Sequence, residues 1–174
     1  MSVSLRLAEE TDLPAIVAIM NLAFRGTLAE QSWSIGTSYM TGSRTDESLL
    51  REEIAGGAQF LLAKDMTSAL QGCVSLQALS SERWYLGSLS VDPALQNKGF
   101  GRELLDSAEE YAILHGARVM EITVVSLRNA LISWYERRGY RRTGKTRPFP
   151  YGDNRFGTPT RNDLEFVVLE KYLH

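Results

Sequence analysis

The chain has 174 residues, of which 44% are hydrophobic and 23% charged. These are ordinary values for a globular domain and exclude disorder of the whole chain. Its 19 Lys and Arg stand against 21 Asp and Glu, a formal net charge of -2, which leaves no overall electrostatic footprint for nucleic acid. The single Cys73 rules out an internal disulfide, and with only His115 and His174 beside it no metal site is expected. The first ten residues, MSVSLRLAEE, carry charge where a signal peptide would be apolar, and no run approaches the roughly 20 apolar residues of a membrane span. The expectation is one cytoplasmic domain over residues 1–174 with no membrane or nucleic-acid partner.

In chain order, Val3–Leu7 reads as a first strand. Thr11 or Asp12 is placed to cap a helix whose first turn holds Pro14. Leu13, Ile16, Val17, Met20 and Phe24 give that helix its apolar face. Arg25–Thr45 has no clear period, and short helical turns are expected there. Asp46–Ala55 reads as a helix stopped by Gly56 and Gly57. Gln59–Lys64 and Leu70–Leu79 read as strands joined by a hairpin turn over Asp65–Ser68. Trp84–Val91 is the fourth strand, closed by Asp92-Pro93, and Arg102–His115 is a helix stopped by Gly116. Val119–Val125 is the fifth strand, Arg128–Arg138 a short helix ended by Gly139, Tyr140–Gly144 an extended segment and Leu164–Leu169 a final strand. The order predicts an α/β fold, a mixed sheet of about six to seven strands with helices on both faces.

The sharpest local signal is Gln96-Asn97-Lys98-Gly99-Phe100-Gly101-Arg102, between the fourth strand and its helix. Gly99 and Gly101 permit backbone conformations closed to other residues and a close approach to a ligand. The helix behind them offers unpaired N–H groups and a partial positive charge, a setting for phosphate. Lys98 and Arg102 add positive side chains. A plain strand-to-helix turn would also use these glycines. The segment is neither a Walker loop nor a dinucleotide fingerprint, since Leu104 stands where the third glycine would be.

Leu89-Ser90-Val91-Asp92-Pro93 leading into Gln96-x-x-Gly99-x-Gly101 resembles the acetyl-CoA motif of the GCN5-related N-acetyltransferase (GNAT) superfamily. Trp134-Tyr135-Glu136 and Gly139-Tyr140 follow in the family's order, so the resemblance covers most of the chain. It implies that the fourth and fifth strands splay apart. A bulge would then offer the backbone of Leu89, Ser90 and Val91 to the pantetheine arm, with the acetyl carbonyl near the Leu89 N–H. The pyrophosphate would rest on the amides of Gln96, Asn97, Lys98, Gly99, Phe100, Gly101 and Arg102. Tyr135 matches the family's general acid; its plain alternative is packing beside Trp134. Where the family often carries Asn, seven residues before this Tyr, the chain has Arg128, a candidate for hydrogen bonds to pantetheine carbonyls or a phosphate. Asn129 is one place off, which turns a helix by about 100°.

The general base is left open between Glu121, Glu82 and a water relay. Thr123 stands where some family members carry Glu. Two segments are expected to enclose the acceptor: Arg25–Thr45, with Trp33, Tyr39 and Arg44, and Lys145–Asn162, with Arg147 or Arg155 placed to hold a carboxylate. The expected activity is direct acetyl transfer from acetyl-CoA, as cosubstrate, to a primary amine of a small metabolite or amino-acid-like acceptor. Two alternatives remain, acetylation of a protein N-terminus or lysine, and an acyl-CoA-binding sensor without catalysis. A homodimer is an option that the resemblance leaves open. The basic run from Arg137 to Arg147 reads as a solvated face, and Cys73 as a small apolar strand residue.

Overall fold

A computed structural model of the protein describes residues 3–25 and 39–174. The layering follows from the apolar runs. In strand β3 (Gln59–Lys64), four consecutive residues are buried, which requires cover on both faces of the sheet. Phe60 and Leu62 pack with Leu13, Ile16 and Met20 of helix α1 (Leu13–Arg25) and Leu50 of helix α2 (Glu47–Ala55). Leu61 and Ala63 face the other way, into a larger core with Leu104, Leu105 and Ala108 of helix α3 (Phe100–Leu114). Ile132 and Tyr135 of helix α4 (Asn129–Glu136) close that second face.

The main sheet has seven strands in the order β1-β3-β4-β5-β6-β9-β7. The remaining members are β1 (Arg6–Leu7), β4 (Leu70–Ala78), β5 (Arg83–Val91), β6 (Val119–Val125), β7 (Arg141–Pro148) and β9 (Glu165–Tyr172). All neighbours are antiparallel except β5 and β6, which α3 joins by a crossover. These two are the strands predicted as fourth and fifth; the shift in number comes from β2 (Met40–Thr41), which pairs with β8 (Thr158–Pro159) in a separate two-stranded sheet. Gly72 on β4 lets α3 lie close, since a Cβ there would meet Leu104 at 2.9 Å and the Ser90 carbonyl at 3.0 Å.

The mixed fold is as expected, and the differences from the sequence reading have physical causes. The first strand is only Arg6–Leu7, because Val3 is drawn off to donate its N–H to Ser107 Oγ on α3 (2.9 Å). A 3-10 turn over Glu10–Asp12 precedes α1. Glu9 caps this turn, Asp12 reaches back to accept the Glu9 N–H at 2.7 Å, and α1 follows directly from Asp12. The Asp65–Ser68 turn forms as predicted, with Asp65 Oδ1 accepting from the amides of Thr67 and Ala69. The last two strands run longer than predicted, since β7 and β9 pair along most of their length. The basic run lies partly on β7, an exposed edge strand whose charges discourage further strand pairing.

Candidate active site

Strands β5 and β6 pair only at Arg83–Val119, Trp84–Met120 and Tyr85–Glu121. Beyond that register they part, and a cavity of about 330 Å³ opens between Leu86–Leu89 and Ile122–Val125. On its other edge β5 pairs with β4, but not uniformly. Cys73 faces Ser90 and Ser75 faces Gly87, so Ser88 and Leu89 stand opposite Val74 alone. This is a β-bulge, and it holds Ser88 at φ 51°, in the left-handed region. Ser90 Oγ donates to the Ser88 carbonyl (3.0 Å) and braces the bulge. Leu89, Ser90 and Val91 are all buried, and Leu89 lines the cavity.

At the end of β5 the chain turns through Asn97 (φ 63°) and Gly99 (φ 82°) into α3. Gly99 is the N-cap and offers no side chain to the helix, whose first intrahelical bond runs from the Glu103 N–H to the Gly99 carbonyl. The amides of Phe100, Gly101 and Arg102 precede that bond. A Cβ on Gly99 would meet nothing within 4 Å, so the turn borders open space that a ligand can fill. Gln96 is buried and its side-chain amide donates to the Val91 carbonyl (3.4 Å), so its side chain braces the turn. Lys98 and Arg102 are exposed. A surface cleft joins Val91, Gln96, Asn97, Gly99, Gly101 and Arg102 to Trp134, Arg137 and Arg138 of the α4 end. The residues present therefore fit a diphosphate, with unclaimed amides, room at the glycine and cations around it.

Tyr135 reaches the splayed cavity from α4 and is 6% exposed. Burial raises its phenol well above the ordinary range, an effect the nearby Arg128 guanidinium offsets only in part. Its ring packs edge-on against Trp134 and Tyr140, so packing and cavity lining coexist at one residue. Arg128 also lines this cavity, near Tyr39 and Tyr135, and does not border the phosphate turn. The Tyr85 hydroxyl and Thr123 Oγ1 lie 2.7 Å apart, both on cavity-lining residues.

Neither candidate carboxylate borders the cavity. Glu82 is exposed and pairs with Arg118 (3.2 Å). Glu121 is buried, bonded to Arg147 and paired with Arg83 at 3.4 Å. Among the described residues no Asp or Glu lines the cavity. His115 stacks on Tyr111 at the end of α3, and Cys73 is wholly buried with its thiol pushed up to about 12 by desolvation.

Of the two segments expected to enclose the acceptor, residues 26–38 of the first lie outside the described residues, and its described end, residues 39–45, meets the second. β2 pairs with β8, and Tyr39, Met40 and Leu164 form a small core with Phe149 and Val125. Phe24, Tyr39, Phe149, Phe156 and Phe166 line the cavity, while Trp33 lies outside the described residues. Arg147 is held by Glu121, and Arg155 by Asp153 (2.9 Å) and Glu52 (2.8 Å). Arg44 is the lid-segment arginine that lines the cavity. The sequence reading did not assign Tyr85, Trp134, Arg137 or Arg138 to ligand binding. Arg138 lies flat over the Trp134 ring (3.9 Å), and a Trp with an Arg four residues on, one helical turn away, is the signal that would have paired them.

A sheet opened beside a glycine turn at a helix N-terminus makes a ligand-binding α/β scaffold, and the chain belongs to the Acetyltransferase (GNAT) family, whose sequence profile matches residues 27–140. That family uses acetyl-CoA as its acetyl donor. Among curated proteins none matches the chain in sequence. Solved structures share the fold at low identity. One assigned as a phosphinothricin N-acetyltransferase has a TM-score of 0.71 at 20% identity over 99% of both chains. The ribosomal-protein-alanine N-acetyltransferase of Brucella melitensis gives 0.67 at 23%, covering 98% of this chain and 100% of its own. YncA of Salmonella typhimurium, an assigned acetyltransferase solved with acetyl-CoA, gives 0.66 at 21% over 100% and 95%. Among the described residues no helix is long and apolar enough to cross a membrane.

Proposed function

We propose that this protein transfers the acetyl group of acetyl-CoA directly to the primary amine of a small acceptor. The observation that carries the reading is the parting of β5 and β6 after Tyr85–Glu121, which opens an aromatic cavity along the strand that ends in the phosphate turn. The bound thioester supplies the activated acetyl group. The amides at Asn97–Arg102 and the guanidinium groups of Arg137 and Arg138 hold its phosphates. The backbone of Leu89–Val91 holds the pantetheine arm, with Arg128 on its other side.

The Leu89 N–H faces the acetyl oxygen and stabilises the negative charge that grows there as the amine attacks. One N–C bond forms and one C–S bond breaks, the electron pair leaving with sulfur; the proton that the attacking nitrogen sheds passes to the departing thiolate, so the products are the amide and the CoA thiol. Tyr135, kept protonated by burial, donates a hydrogen bond to that sulfur. An acceptor arriving as an ammonium must first lose a proton. With no carboxylate among the described residues lining the cavity, the Tyr85–Thr123 hydroxyl pair starts the route to water. The small-acceptor reading is supported by the aromatic enclosure and agrees with the name of the phosphinothricin N-acetyltransferase homologue in fold.

The experiment is release of CoA thiol across a panel of small amines and N-terminal peptides. Turnover of small amines is expected. Turnover of peptides alone would move the assignment to protein acetylation, the activity named for the Brucella structure. Tight acetyl-CoA binding without turnover on any amine would make the protein a sensor.

A further inference from the structure

Among the described residues, the acceptor cavity holds a cationic side chain with a buried nitrogen that nothing satisfies. Arg44 lines the cavity, and its guanidinium lies over the rings of Phe24 (5.4 Å) and Phe156 (5.6 Å). Arg44 Nη1 is buried and has no hydrogen-bond partner among the described residues. Burial lowers its affinity for the proton, with only the through-space fields of Glu53 and the Tyr85 hydroxyl opposing this. Glu53 makes no ion pair with it within 4 Å and does not line the cavity. Among the described residues the other lid arginines are already paired, Arg147 with Glu121, Arg155 with Asp153 and Glu52, and Arg161 with Asp163. Arg44 is also fixed in place: Asn21 Oδ1 on α1 accepts its backbone N–H at 2.7 Å and that of Thr45 at 3.1 Å.

A guanidinium held in an aromatic cavity with a buried N–H group left without an acceptor is destabilising unless something anionic completes it. Its planar donors match a carboxylate or a similar oxyanion. The geometry points to Arg44 as the anchor for an oxyanion on the acceptor, which makes the substrate an amine that also carries a negative group, with an apolar remainder against Phe24, Phe156 and Tyr39. This rests on the small-acceptor reading above and narrows it to amino-acid-like compounds. The volume, about 330 Å³, suits a ligand of that size, since small-molecule sites run from about 300 to 1,000 Å³.

The test uses the full chain and a matched panel: L-phenylalanine, L-leucine and L-methionine, their carboxamides, their decarboxylated amines and their aminophosphonate counterparts. Thiol release gives KM and kcat, and calorimetry on the CoA-loaded protein gives affinity without turnover. At least one oxyanion-bearing member should show a KM or Kd about 10- to 100-fold below its amide and its decarboxylated form, the range of one charge-assisted contact. The phosphonates separate a requirement for a planar carboxylate from one for any oxyanion. Arg44→Gln should abolish the preference, chiefly through KM, and Arg44→Lys should restore part of it. Equal values for charged and uncharged partners, or a preference that survives in Arg44→Gln, would overturn the assignment while leaving acetyl transfer to amines standing. If no amine is turned over, the acetyltransferase reading fails, and the calorimetric comparison still decides whether Arg44 reads an oxyanion. Should Arg44→Gln not fold, the ligand comparison on the unaltered protein decides alone.

Discussion

Tyr135 shows how much a residue's role depends on its surroundings. Its place in Trp134-Tyr135-Glu136 was legible in the sequence, but its burial was not, since the covering groups come from β5, β6 and α4 together. A phenol raised by burial stays protonated across the working pH range. Tyr135→Phe is therefore expected to lower kcat about 10- to 100-fold with little change in acetyl-CoA affinity; steady-state kinetics beside calorimetry measures both, and unchanged kcat would remove the role. Asp12 carries a different expectation. Arg6 at 2.8 Å, Lys64 at 3.2 Å and the Glu9 amide hold its carboxyl far below the usual carboxylate range. A depressed native value stabilises the fold above the ordinary value near pH 4 and loses that contribution as pH falls through the lowered one. Asp12→Asn should cost about 1–3 kcal/mol at pH 7, and the gap to the parent should close as unfolding is followed below pH 4. Glu121 was not legible as an ion-pair residue, because Arg83 and Arg147 reach it from distant parts of the chain.

Elements were more legible than their ends. The 3.6-residue spacing of Leu13, Ile16, Met20 and of Leu104, Leu105, Ala108 fixed α1 and α3, since each face packs on a continuous core. α1 begins at Leu13, directly after Asp12 as expected, whereas α3 begins at Phe100, two residues before the expected Arg102, because its first helical bond starts from the Gly99 carbonyl. The turn into α3 joins element geometry to ligand binding. Gly99 sits at φ 82° beside empty space, so Gly99→Val strains the backbone and also fills the space proposed for phosphate. CoA binding by calorimetry should fall at least tenfold, in a variant whose circular dichroism still reports a folded chain. Normal binding in folded protein would contradict the phosphate assignment. β2 and β8 were not legible, because each has two residues and exists only as the other's partner.

At the scale of the molecule the sheet is two partial sheets sharing a short seam. β1-β3-β4-β5 on one side and β6-β9-β7 on the other meet through the pairs from Arg83–Val119 to Tyr85–Glu121. The splay was expected from the family resemblance alone; no periodicity in Trp84–Val91 or Val119–Val125 marks where pairing stops. Hydrogen exchange followed by mass spectrometry tests what fills the gap. Added CoA should slow exchange over residues 88–91 and 96–102 and leave α2 unchanged. Uniform slowing, or none, would argue against the proposed path for the arm.

The bulge at Ser88 and Leu89 has a consequence for altering this protein. In the proposed function the bulge holds the donor's arm by main-chain groups, which have no side chain to delete, whereas the cavity is walled in part by side chains from α1, the β2 region and the loop after β7. The proposal therefore places much of donor recognition apart from acceptor recognition. Libraries randomised at Phe24, Tyr39, Phe149 and Phe156 should yield proteins with new acceptor preferences that still bind the same thioester.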